Sequence, residues 1–158
     1  MPLDVVTQFT VERLLARYVA SIDADRLEEW PGYFTESCRY QIISAENHEQ
    51  GLPIGVFFAN SRGMLADRVT ALREANIYER QSYRHILGQP SILQEGDGEV
   101  RSETSFLVAR IVQDGDTDIF ATGRYLDLYK IEDGKARLNE RVVVCDSSRV
   151  DTLMALPL

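Results

Sequence analysis

Histidine and cysteine are scarce: the 158 residues include two of each, His48 and His85, Cys38 and Cys145. An iron–sulfur centre held by two Cys and two His needs tight Cys-x-His and Cys-x-x-His pairs, and neither pair occurs. A two-His, one-carboxylate iron site can be counted from His48, His85 and an acid, but the histidines are far apart in sequence and no third one supports them. One disulfide is arithmetically possible. The start, Met1-Pro2-Leu3-Asp4, lacks the basic and apolar regions of an export signal, so two reduced, buried thiols in a cytoplasmic protein are expected. Apolar runs stop at four or five residues, which excludes a membrane-spanning helix. Phosphate-cradling glycine loops and nucleophile elbows are missing. Cys38 and Cys145 sit beside strand-like segments, where an inert thiol is expected rather than a nucleophile. Basic charge is also in deficit: 17 Lys and Arg against 25 Asp and Glu give −8 at pH 7. Such a chain has no cationic face with which to displace the counterions of a nucleic acid.

What is present describes one soluble domain, residues 1–158. Apolar residues make up 44% and charged residues 27%, and a chain of this size hides roughly 70% of its unfolded surface without metal or disulfide support.

Val11, Leu14, Leu15, Tyr18, Val19 and Ile22 recur at helical spacing and mark one face of an N-terminal helix that ends near Asp23. Asp25 and Glu28 suggest a capping box for a short second helix, stopped at Trp30-Pro31. A first strand is expected near Arg39 to Ser44. Residues 45–59 read as an irregular, unusually apolar loop. Asn60-Ser61 cap a third helix with the stripe Met64, Leu65, Val69 and Leu72, fading by Asn76. Four strands follow: His85 to Leu93, broken at Gly88 and Pro90, then Val100 to Val112, Ile119 to Ile131 and Arg137 to Cys145. Their connectors, Glu95-Gly96-Asp97-Gly98, Asp114-Gly115-Asp116 and Asp133-Gly134, carry hairpin chemistry and imply an antiparallel meander. Helices gathered before a run of hairpins mean an α+β fold, a long curved sheet wrapped around the N-terminal helix as a half-open cone.

A cone of this kind can hold acid–base chemistry. Tyr18, Asp23, Tyr33, Tyr40, His85, Tyr125 and Asp127 are the side chains that would project inward, where a buried acid beside a tyrosine could enolise a ketone. The competing reading is that the tyrosines pack and the aspartates cap.

Charge is uneven. Residues 1–60 and 85–158 each carry a net −5, whereas residues 61–84 carry +2, all of its cations being arginine: Arg62, Arg68, Arg73, Arg80 and Arg84. Tyr78 and Tyr83 lie in the same stretch and His85 follows it. Arginine and tyrosine are what subunit interfaces enrich. With the apolar loop and the greasy tail, this stretch yields a candidate interface of Arg68, Tyr78, Arg80, Arg84, His85, Phe57, Phe58, Leu153, Leu156 and Leu158. So large an apolar surface would be a liability in a monomer.

The segment Trp30-Pro31-Gly32-Tyr33-Phe34-Thr35-Glu36-Ser37-Cys38-Arg39-Tyr40 resembles the early part of the small (β) subunits of aromatic-ring-hydroxylating dioxygenases. So do Asp67-Arg68-Val69-Thr70-Ala71-Leu72-Arg73 and Tyr83-Arg84-His85-Ile86, and the resemblance extends over essentially the whole chain. It implies a cystatin-like, nuclear-transport-factor-2-like cone that assembles with a large α subunit as an α3β3 hexamer. The resemblance places a [2Fe-2S] Rieske cluster and mononuclear Fe(II) in the α subunit, with electrons from NAD(P)H through a reductase. It assigns no cofactor, metal ligand or catalytic residue to the small subunit, whose role is structural. Residues 71–80 and 144–158 most resemble members acting on a carboxylated ring, with terephthalate the leading substrate. Two rivals remain at this level: a stand-alone dehydratase or isomerase using Asp23, Tyr40 or His85 in a polar cavity, and a ligand-binding homodimer with no oxygenase partner.

Overall fold

A computed structural model describes residues 5–52, 55–74, 81–147 and 157–158. Helix α1 (Val5–Asp23) buries Val11, Leu14, Leu15, Tyr18 and Ile22, the stripe its sequence spacing predicts. A 3-10 helix (Leu27–Tyr33) follows and leads directly into strand β1 (Phe34–Ser44). Helix α2 (Ala45–Glu49), strand β2 (Phe57–Ala59) and helix α3 (Arg62–Glu74) come next. The remainder is strand: β3 (Gln81–Leu87), β4 (Ser91–Gly96), β5 (Glu99–Val112), β6 (Thr117–Glu132) and β7 (Lys135–Cys145).

Among the described residues, seven strands form one sheet in the order β2-β1-β7-β6-β5-β3, with β4 also paired to β5. The sheet is curved and open, and α1 lies in its concavity, packed against β3, β7 and the 3-10 helix. The α+β cone is as expected, and the strand break at Gly88 and Pro90 is where β3 gives way to β4. Asp97-Gly98 and Asp133-Gly134 both have positive φ at each residue, 53° and 74°, then 52° and 76°. That is the backbone a tight two-residue hairpin requires.

Four local expectations need correction. Asp25 does not cap the second helix. It takes φ 61°, and its carboxylate accepts two hydrogen bonds from Arg73 Nη1 at 3.0 Å. The 3-10 helix continues through Pro31, which is buried with Leu27 and Trp30. Residues 45–59 are not wholly irregular, since α2 is capped by Ser44 Oγ, which accepts from Asn47 N–H, and β2 pairs antiparallel with β1. The sheet is not a pure meander either. β1 joins β7 in parallel, from Arg39 opposite Glu140 to Ser44 opposite Cys145. This pairing places the early strand inside the sheet, between β2 and β7, and explains why residues Tyr40 to Ser44 are buried without alternation.

Candidate functional site

The interior of the cone is where a ligand would sit, and side chains fill it. Arg141 on β7 faces Asp127 on β6 across the ladder. Arg141 Nε donates to Asp127 Oδ1 at 2.8 Å and Nη2 to Oδ2 at 2.9 Å, with both side chains fully buried. Tyr129 OH donates to the same Oδ2 at 3.0 Å. The guanidinium is sandwiched between two rings, 3.8 Å from the centroid of Tyr125 and 4.4 Å from that of Tyr18. These faces supply cation–π attraction to a charge that has no water around it. Burial pulls the Arg141 pKa down, but Asp127 and the flanking phenols outweigh it and the group is held above its ordinary value.

Tyr18 connects this pair to the rest of the core. Its hydroxyl accepts from Trp30 Nε1 at 2.7 Å and donates to the Leu158 main-chain oxygen at 3.0 Å. Tyr40 OH donates to the same oxygen at 2.8 Å. Trp30, Phe34 and Tyr40 meet edge to face at 5.4–5.9 Å. Burial raises the Tyr18, Tyr40, Tyr125 and Tyr129 hydroxyls above the usual phenol value. Tyr18, Tyr40, Asp127 and Arg141 therefore form a packed core held by hydrogen bonds, in which Arg141 Nη1 and the hydroxyls of Tyr125, Ser102 and Thr104 are buried without a hydrogen-bond partner among the described residues.

Asp23 and His85 also come together. His85 Nδ1 lies 2.6 Å from Asp23 Oδ1, and the His85 main-chain N–H donates to Asp23 Oδ2 at 2.8 Å. The His85 side chain is fully buried, and its Nε2 has no hydrogen-bond partner. The pair fastens the end of α1 to β3. His85 borders a cleft of about 260 Å³ whose other walls include Leu15, Val19, Leu87 and Pro90. Tyr33, by contrast, lies nearer the surface and donates to the Arg17 carbonyl at 3.1 Å.

The candidate interface residues disperse. Phe57 and Phe58 stand on the edge strand β2. Arg68 lies 5.5 Å from the Phe57 ring centroid, and Arg39 lies 5.5 Å from that of Phe58. Phe58 is 45% exposed, so β1, β2 and α3 present an arginine–aromatic patch at one sheet edge. Arg84 is exposed on β3, opposite Ala109 of β5 and next to exposed Ile86. His85 and Leu158 point inward and are buried, because one is tied to Asp23 and the other receives two tyrosine hydroxyls. Tyr78, Arg80, Leu153 and Leu156 lie outside the described residues. Of the other arginines in the 61–84 stretch, Arg62 donates through Nε and Nη2 to the Phe34 carbonyl at 3.0 and 2.7 Å. Arg73 binds Asp25 and Glu28, and hydrogen bonding from Arg73 lowers the Glu28 carboxyl below its usual value.

The donor set does not fit a Rieske cluster or a mononuclear iron. Among the described residues no three His, Cys, Asp or Glu converge to hold a metal ion. His48 is on α2, His85 is committed to Asp23, and Cys38 and Cys145 are free and buried on separate strands. Burial raises both thiols, Cys145 to about 11 with help from Asp146. Sequence spacing missed Arg141 as the partner of Asp127, since β7 shows no apolar alternation around it: Asn139 and Glu140 precede it and Val142, Val143 and Val144 follow without a break. Among the described residues, no helix is long and apolar enough to cross a membrane.

The sequence profile of the family described as "Ring hydroxylating beta subunit" matches residues 17–152. The chain belongs to this family. Terephthalate 1,2-dioxygenase terminal oxygenase component subunit beta 2 of Comamonas sp. is 50% identical over 154 residues, 97% of this chain and 99% of that protein. The small subunit of anthranilate 1,2-dioxygenase from Burkholderia cepacia is 40% identical over 98% of this chain and 96% of that one. A crystal structure from Novosphingobium aromaticivorans, described as the beta subunit of an aromatic-ring-hydroxylating dioxygenase, superposes with a TM-score of 0.90 at 39% identity, covering 97% of each chain. The beta subunit is thus a component of an oxygenase, and the filled cone is the form in which this chain carries the family fold.

Proposed function

We propose that this beta subunit is the structural organiser of an α3β3 aromatic-ring dioxygenase that installs two hydroxyls on terephthalate or a closely related aromatic acid. In this reading the large α subunit carries the Rieske cluster and mononuclear Fe(II), a reductase delivers electrons from NAD(P)H, and the assembly works in the cytoplasm. The observation that carries it is the interior. The place where a cone-shaped enzyme would admit substrate is occupied by the Asp127–Arg141 pair, its two stacking tyrosines and Trp30. The strong identity to a terephthalate oxygenase subunit supports the substrate class. Contact with neighbours falls to the exposed surfaces, with the Phe57, Phe58, Arg39 and Arg68 patch and the Arg84–Ile86 edge as first candidates.

Iron analysis after co-expression with a cognate large subunit tests the division of labour. All iron and the cluster absorbance should follow the large subunit when the two are separated. Iron retained stoichiometrically by this chain would overturn the reading.

A further inference from the structure

A groove of about 490 Å³ runs between α1 and the β6–β7 turn. Arg13 and Arg17 of α1 line one side, and Lys135 and Arg137 of β7 line the other, with Phe9 and Tyr33 between them. All four cations are exposed, and none forms an ion pair among the described residues. No carboxylate lines the groove. By contrast, Arg26, Arg73, Arg110, Arg124 and Arg141 are each matched to an acid. Lys135 and Arg137 also border a neighbouring cleft with Glu36, Glu132 and Asp133, but no carboxylate reaches the groove itself, so the groove favours an anionic occupant.

The far end of the same sheet has the opposite character. The β5–β6 turn exposes Asp114 and Asp116, neither in an ion pair among the described residues. The turn is shaped by Gly115 at φ 95° and by Asp116 N–H donating to Asp114 Oδ1 at 2.9 Å. Ile119, beside it, is an exposed apolar residue. Strand β6, 16 residues long, separates turn from groove, roughly 50 Å at the usual strand rise. The two features therefore do not meet within one molecule.

We propose that the acidic β5–β6 turn of one copy of this chain seats in the basic groove of a second copy. Asp114 and Asp116 meet Arg13, Arg17, Lys135 and Arg137, and Ile119 approaches Phe9. The groove is open along one side, which suits a protruding chain segment better than a small molecule, since small-molecule sites enclose most of their ligand. The contact is head-to-tail, so it builds a ring when the rotation between copies closes. The inference deepens the organiser reading by naming the surface through which beta subunits would meet.

The test uses the full chain co-expressed with its large subunit. Half of the beta subunit is labelled with 15N, the complex is assembled from the mixture, and a zero-length carboxyl-to-amine crosslinker is applied before mass spectrometry. Mixed-isotope crosslinks from Lys135 to Asp114 or Asp116 are expected. Lys135 coupled only to large-subunit carboxylates, or to none, overturns the proposal. A charge-swap cycle supplies the second measurement. D114K/D116K and R13E/R17E should each weaken association between beta subunits at least tenfold at low salt, and the chain carrying all four changes should recover to within threefold of the parent. Folded variants, by circular dichroism, that associate like the parent, or a combined variant that does not recover, would also overturn it. Absence of an iron–sulfur large subunit from the preparation would instead count against the organiser reading, so the two failures are distinguishable.

Discussion

Asp127 and Arg141 form a two-pronged ion pair at 2.8 and 2.9 Å in the middle of the cone, with neither side chain reaching solvent. Their positions are register partners on β6 and β7, so the strand pairing itself delivers the charges to each other. A buried charge is tolerable only when paired, hydrogen-bonded and stacked. Tyr129 adds a hydrogen bond and Tyr125 and Tyr18 supply the stacking, while Arg141 Nη1 and the Tyr125 hydroxyl stay without a hydrogen-bond partner among the described residues.

Removing one member should therefore be severe. Arg141→Ala or Asp127→Ala leaves an uncompensated buried charge, and a loss of about 3–5 kcal/mol in unfolding free energy is expected. The double change Asp127→Leu with Arg141→Met should cost far less than either single change. Urea unfolding followed by circular dichroism checks both, and a single variant as stable as the parent would contradict the packing account.

Gly123 should tolerate no side chain. It lies opposite Cys145 on β7, and a Cβ there would collide with the Val144 main-chain oxygen. Gly123→Ala is expected to lower stability by about 1–3 kcal/mol through overpacking. Gly32→Ala, where nothing lies within 4 Å, should be nearly neutral. Comparing the two melting temperatures tests the closeness of β6 to β7.

The cap of α3 is a smaller determinant. Ser61 Oγ accepts from Met64 N–H at 3.2 Å, so Ser61→Ala should cost about 1 kcal/mol and Ser61→Asp very little. Denaturant titration of the pair resolves that difference.

Stability should decline at alkaline pH. The folded state raises the Cys145 thiol to about 11 from an ordinary value near 9, because burial disfavours the thiolate. A raised folded-state pKa contributes stability in full below the unfolded value, and that contribution is lost as pH climbs through about 11. The buried tyrosines, also raised, act in the same direction at higher pH. Unfolding free energy measured from pH 8 upward should fall, and Cys145→Ala should flatten the part of the decline between about 9 and 11. An identical slope in both proteins would contradict the assignment.

Local periodicity in the sequence carried the elements best. The α1 stripe, the Ser61 cap and the hairpin turns were legible because each depends on residues a few positions apart. The parallel β1–β7 pairing was not, since it joins residues about a hundred positions distant and leaves no periodic trace. β2 was hidden because three residues are too few to alternate. The inward set was partly right: Tyr18, Asp23, Tyr40, His85, Tyr125 and Asp127 do face the interior, but their expected chemistry depended on space, and Arg141 occupies it. The arginine-rich 61–84 stretch suggested an interface by composition alone. In three dimensions Arg62 and Arg73 serve this chain's own carbonyl and carboxylates. The cations of the basic groove come instead from α1 and β7, outside that stretch.

The most direct test of the central claim is turnover with and without this chain. The large subunit should be expressed alone and together with it, each preparation supplied with reductase, NAD(P)H, O2 and terephthalate, and the masses measured by native mass spectrometry. The co-expressed sample should show a hexamer and dihydroxylated product, and the large subunit alone should show neither. Full activity from the isolated large subunit would contradict the account.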